Sequence, residues 1–117
     1  MHIEILYIEG CPNHRLAVEE VSRVLNMEGM SAQIESIMVS DSEAAHILRF
    51  LGSPTIRIEG IDVEPAARSS RDYAYACRTY QTAGRQAGLP PESLIRQAIR
   101  EARGEKEYRR TESRVKA

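Results

Sequence analysis

Ile3-Glu4-Ile5-Leu6-Tyr7-Ile8 is a compact β-favouring run that stops at Gly10, and Cys11-Pro12 follows before helical spacing takes over. A short, nearly continuous apolar run closed by glycine suits a strand buried on both faces. Beyond it, Leu16, Ala17, Val21, Val24, Leu25 and Glu28 recur at helical spacing, with Arg15, Glu19, Glu20 and Arg23 opposite. Gly29 stands where a helix C-terminus favours glycine. The chain therefore opens as strand, tight turn and amphipathic helix, with a cysteine in the turn.

The elements that follow restrict the fold further. Gln33 to Val39 alternates as a second strand, offering Ile34, Ile37 and Val39 to a core. Ser40-Asp41-Ser42-Glu43 has the form of a capping box, which predicts a helix from Glu43 to Leu51 stopped by Gly52. Thr55 to Ile58 and Ile61 to Glu64, joined by Glu59-Gly60, form a predicted hairpin. A last helix opens at Leu89-Pro90-Pro91-Glu92 and buries Leu94, Ile95, Ala98, Ile99 and Ala102. The order β-α-β-α-β-β-α implies parallel pairing of the first two strands through a crossover, with the hairpin as an antiparallel edge. The expected fold is α/β, a mixed four-stranded sheet with helices on both faces. It occupies residues 1–103, with an irregular insertion over 65–88 and a charged tail over 104–117.

Composition narrows the function classes. With 117 residues, 42% of them hydrophobic, the chain can fill one core, and no Trp and a single Phe make that core aliphatic. A net charge of −1 gives no general attraction for nucleic acid or an anionic membrane. Six basic and four acidic residues from Glu101 onward make that segment +2, against −3 for the rest. No window approaches the roughly 20 apolar residues of a membrane span, and no basic region precedes the first strand. The expectation is a cytoplasmic protein with no nucleic-acid or membrane partner. An uncovered hairpin edge would offer a surface for pairing with another chain.

The chemistry rests on the two cysteines, Cys11 and Cys77, too few for a disulfide scaffold or a four-cysteine zinc site. Cys11 lies at the mouth of a helix, where free amides and the helix dipole favour an anion and hence a thiolate. Ligands of open α/β sheets also gather outside the carboxyl ends of strands. The plainer alternative is a small buried apolar cysteine. Ser53-Pro54-Thr55 precedes the third strand, where a proline can hold either a cis bond or an ordinary trans helix stop. His14, three residues after Cys11, is either a proton-transfer partner or a solvated first-turn histidine. Cys77 sits in a tyrosine-rich stretch, Tyr73 to Tyr80, inside the insertion. If that stretch folds over the sheet's carboxyl end, Cys77 approaches Cys11 and Arg78 adds positive charge.

Gly10-Cys11-Pro12-Asn13-His14 and Gly52-Ser53-Pro54-Thr55-Ile56, with this element order, resemble the thioredoxin superfamily over nearly the whole chain apart from the tail. The resemblance implies a thioredoxin-like sheet, Cys11 as exposed nucleophile, and Pro54 packed beside it. It also implies a Ser53 backbone free to pair with a bound peptide or small thiol. His14 replaces the second cysteine of a dithiol motif, so exchange would run through a mixed disulfide resolved by an external thiol or by Cys77. With the downstream Cys77-Arg78-Thr79-Tyr80, the chain also resembles small thioredoxin-like proteins labelled alkylmercury-lyase-like. Organomercurial lyases capture mercury with two thiolates far apart in sequence and use an acid three residues after the first. That implies Cys11 and Cys77 as mercury ligands, with His14 at the acid's position and without those enzymes' additional N-terminal domain.

Three functions follow as expectations. The first is thiol–disulfide redox or thiol transfer, with Cys11, His14 and Cys77 as reacting groups and Pro12, Ser53, Pro54, Thr55, Arg78 and Tyr80 lining the substrate site. Its partner would be a small thiol or a protein disulfide, and it requires no cofactor. The second is capture of a soft metal such as mercury by Cys11 and Cys77, or lyase-like cleavage of an organomercurial. The third is a non-catalytic interaction module.

Overall fold

The structure, a computed structural model, describes residues 1–82 and 85–116, with side chains for 1–81 and 86–104. β1 (His2–Tyr7) lies in parallel beside β2 (Gln33–Met38), with Ile3 opposite Ile34 and Leu6 opposite Ile37. The connection is α1 (His14–Met27). On its other side β1 runs antiparallel to β3 (Thr55–Ile58), which turns back into β4 (Ile61–Asp62). The strand order is β2-β1-β3-β4, so the sheet is mixed, as expected. With α2 (Ser42–Ile47) and α3 (Glu92–Lys116), three α-helices accompany it among the described residues. None of them is long and apolar enough to cross a membrane.

Alternation along β1 explains the two cores. Ile3 and Ile5 point to one face and pack with Ala17, Val21 and Val24 of α1, Ile56 and Ile58 of β3, and Ile95 and Ile99 of α3. Leu6 points to the other face, against Val39, Ala45 and Phe50. α1 and α3 are further joined by ion pairs, Glu28 with Arg100 at 2.7 Å and Arg23 with Glu92 at 3.1 Å. Leu94, expected in the core, is only half-buried.

Local chemistry accounts for the ends of the elements. α1 closes in a Schellman arrangement, with the Met30 amide on the Leu25 carbonyl and Gly29 at φ 64°. The helix expected from Glu43 to Leu51 is shorter and differently capped. Asp41, rather than Ser40, accepts the Ala44 amide at 2.8 Å. The helix stops at Ile47 because Phe50 folds back into the second core, its amide on the Ala45 carbonyl at 2.8 Å. The Glu59-Gly60 turn has both residues at positive φ, 54° and 80°, the signature of a two-residue hairpin turn. β4 ends at Asp62 and is shorter than the expected Ile61–Glu64.

The stretch expected to be irregular, 65–88, holds a 3₁₀ turn at Pro65–Ala67 and a hairpin, β5 (Tyr80–Thr82) with β6 (Arg85–Ala87). Residues 83 and 84 lie outside the described residues. The charged tail continues α3 as helical backbone to Lys116.

The stretch is tied to the sheet by Arg78. Arg78 is 7% exposed, and its guanidinium meets both carboxylate oxygens of Asp62, itself 8% exposed, at 2.8 and 3.0 Å. It also donates to Glu64 at 3.1 Å and to Thr55 Oγ1 at 3.2 Å, and lies 4.3 Å over the Tyr80 ring. Removing one member of a buried ion pair strands the other and costs about 3–5 kcal/mol. Asp62→Ala is therefore expected to lower unfolding free energy in urea by about 3–5 kcal/mol. Glu64→Ala, at a more exposed position, should cost clearly less.

Candidate functional site around Cys11 and Ser53

Cys11 occupies the turn between the carboxyl end of β1 and the start of α1. Its amide donates to the Ile8 carbonyl at 3.2 Å, and its own carbonyl accepts from the His14 amide at 3.4 Å. Gly10, at φ 78°, supplies the reversal that brings the chain from the strand into this turn. Cys11 is half-buried and a free thiol, Pro12 beside it is exposed, and Asn13 precedes the first residue of α1.

Ser53 packs directly beside this turn, its hydroxyl accepting the Ile8 amide at 3.1 Å. The peptide bond from Ser53 to Pro54 is cis, one of the two geometries open to that proline. On its other side Ser53 is bridged in parallel to Cys77. The Ser53 amide donates to the Ala76 carbonyl at 2.8 Å, and the Ser53 carbonyl accepts from the Arg78 amide at 2.9 Å. The insertion thus folds over the carboxyl end of the sheet. It also reaches the far side of the turn, where a Cβ on Gly88 would fall 2.2 Å from Asn13 Nδ2.

Cys77 is exposed and free, so no disulfide joins it to Cys11. The cysteines are linked through Ile8 and Ser53: the Cys11 amide donates to the Ile8 carbonyl, and Ser53 accepts the Ile8 amide and pairs with Cys77. A shallow cleft of about 480 Å³, lined by Leu51, Glu64, Asp72, Cys77 and Thr79 among others, does not include Cys11 in its wall. A second cleft of about 500 Å³, between α2 and residues 67–73, contains neither cysteine.

Several expected site residues have other posts. Arg78 reaches into its carboxylates, and although burial opposes its charge, Asp62 and its neighbours hold it cationic. Tyr80 is 1% exposed and donates to the Pro54 carbonyl at 2.6 Å, and burial pushes its phenol well up. Thr55 is fully buried, its hydroxyl donating to the Gly52 carbonyl at 2.6 Å. Arg78, Tyr80 and Thr55 form a buried layer behind Ser53 and Pro54. Asp62 and Gly52 complete that layer; the sequence does not single out Asp62 and marks Gly52 only as a helix stop and a member of the Ser53-Pro54 motif. Gly52 has φ 119°, and a Cβ there would come 2.8 Å from Arg78 Cβ. The only sequence trace of Asp62's role is that Asp62 and Glu64 share strand parity.

Elsewhere on β1, His2 stands at the strand's first position. Its ring lies 3.8 Å from Glu35, at the end of the strand remote from Cys11.

The His14 ring stacks on Tyr7, with centroids 3.6 Å apart and planes 4° from parallel, and Nε2 meets Ser36 Oγ at 3.0 Å. These contacts pin the start of α1 to β1 and β2. Burial lowers the His14 pKa below its ordinary 6.5. The unfolded chain therefore takes up this proton first as pH falls, and the folded state loses stability from about pH 6.5 downward until its own lower pKa is passed. His14→Phe, which keeps the stack, is expected to flatten the fall in melting temperature between pH 7.5 and 5.5.

No curated protein and no solved structure matches this chain. A family model described as "Domain of unknown function (DUF2703)" matches residues 13–99, from the start of α1 into α3. The match spans most of the chain, including Ser53, Cys77 and the Arg78–Asp62 pair, and the chain belongs to the DUF2703 family.

Proposed function

We propose that this is a thioredoxin-like domain whose Cys11 acts as a thiolate nucleophile in thiol–disulfide exchange or thiol transfer. The observation that carries the reading is the seat of Cys11: a free, half-buried thiol between a strand's carboxyl end and a helix, beside Ser53 and Pro54. The attacking species in such exchange is the thiolate. Support for the fold assignment comes from the strand order β2-β1-β3-β4 and from helices on both faces.

Exchange follows a monothiol course. The Cys11 thiolate attacks one sulfur of a disulfide, forms a mixed disulfide and expels the other half as a thiolate. An external low-molecular-weight thiol then displaces Cys11. His14, held by Tyr7 and Ser36, positions the start of α1. No resident cofactor enters this course. We place the protein in the cytoplasm, where thiols are kept reduced.

A second reading has one specific observation in its favour. Ser53 accepts the Ile8 amide on one side and pairs with Cys77 on the other, which supports capture of a soft metal such as mercury by Cys11 and Cys77. This reading covers metal capture and, with His14 three residues after Cys11 at the position of the organomercurial lyases' acid, lyase-like cleavage of an organomercurial.

Thiol exchange with a chromogenic disulfide separates the readings. Cys11→Ser is expected to lower the rate at pH 7 at least tenfold relative to Cys77→Ser, and equal rates in the two variants would remove Cys11 from its role. Under the second reading, mercury binds the reduced protein at one equivalent, and each single variant weakens that site at least a hundredfold.

A further inference from the structure

Taking Cys11 as the reacting thiol, we propose that the chain occupies its own strand-pairing edge at Ser53. Cys11 is thereby restricted to small, non-peptide disulfides and thiols and closed to extended polypeptides. The proposal rests on that reading of Cys11 and adds the substrate class.

A peptide that binds by strand addition needs free main-chain donors and acceptors beside the reacting sulfur. Every such group from the Gly52 carbonyl to the Pro54 carbonyl is already taken. The Gly52 carbonyl accepts from Thr55 Oγ1, the Ser53 amide donates to Ala76, the Ser53 carbonyl accepts from Arg78, and the Pro54 carbonyl accepts from Tyr80. Pro54 has no amide hydrogen to offer. Even the Ser53 hydroxyl is engaged, by the Ile8 amide. Residues 76–78 thus lie where an incoming strand would lie, with Cys77 as the residue opposite Ser53.

The segment is not loosely laid on this edge. Displacing it breaks both Ser53 hydrogen bonds and pulls a buried guanidinium away from Asp62, Glu64 and Thr55. Gly52 permits the close approach, since any side chain there would collide with Arg78 Cβ. The approach of Gly88 to Asn13 narrows the opposite flank of the turn. A small disulfide has no main chain to pair and needs only the free thiol of the half-buried Cys11. The Cys11 thiolate attacks RSSR to give Cys11–S–S–R and RS⁻, which takes a proton from water. A second small thiol, R′SH, deprotonates and displaces Cys11, giving RSSR′ and the free Cys11 thiolate. The net reaction, RSSR plus R′SH to RSSR′ plus RSH, needs no further oxidant or reductant.

The test compares two 2-pyridyl mixed disulfides, one of mercaptoethanol and one of a ten-residue extended peptide containing a single cysteine. Both release the same pyridinethione. The full chain is used in a Cys77→Ser background so that release reports Cys11. The mercaptoethanol probe is expected to react at least tenfold faster than the peptide probe. Adding Arg78→Ala, or Gly52→Ala as an independent way of loosening the segment, should bring the peptide rate to within about threefold of the small-probe rate. Equal rates for the two probes without either added substitution would overturn the proposal even if neither variant folds. Small-probe release that survives Cys11→Ser defeats instead the reading of Cys11 on which the proposal stands.

Discussion

The buried guanidinium of Arg78 holds together parts of the chain that no local pattern connects. It is bracketed by Asp62 and Glu64 from the end of the β3–β4 hairpin and capped by the Tyr80 ring. Burying charges this deeply is costly unless each finds a partner, and Arg78 finds its partners only when residues 76–80 lie against β4. Once they do, the Arg78 amide falls on the Ser53 carbonyl and the Tyr80 hydroxyl on the Pro54 carbonyl. One ion pair therefore decides how the rim around Ser53 is closed.

This arrangement gives the two cysteines different standing. Cys11 belongs to the β1–α1 turn, and its surroundings follow from local geometry: Gly10 at positive φ, the Ile8 carbonyl, and the first amides of α1. Cys77 belongs to a segment whose position is set from a distance, by a residue next to it in sequence and a carboxylate on another strand. Its exposure and its place opposite Ser53 are consequences of where Arg78 is anchored. A change at Asp62 should thus reach Cys77 before it reaches Cys11.

Elements built on local periodicity were legible in the sequence. The spacing of Ala17, Val21 and Val24 identified α1, and the β-favouring run from Ile3 identified β1, because one side-chain period each decides burial. The boundaries of α2 were less so. Asp41 competes with Ser40 as cap, and Phe50 is drawn into the second core, which ends the helix before Gly52. At the site, Cys11 and the Ser53-Pro54 pair stood out because turn chemistry marks them. Arg78 reads as positive charge beside a thiolate, and Tyr80 enters through the resemblance carried by Cys77-Arg78-Thr79-Tyr80. Their burial depends on Asp62, 16 residues before Arg78, and no pattern within 65–88 announces that contact. Gly52 read as a helix stop, and its closeness to Arg78 is likewise visible only once the segment is folded.

Native-state amide hydrogen exchange at Ser53 and Arg78 tests most directly whether residues 76–78 form a permanent part of the sheet's edge. Both amides are donors in the pairing, to Ala76 and Ser53 respectively. Protection within about tenfold of that of Ile56 in β3 is expected, since opening should require loss of the Arg78 anchor. Exchange of both amides at the unprotected rate of an exposed loop would contradict the closed edge.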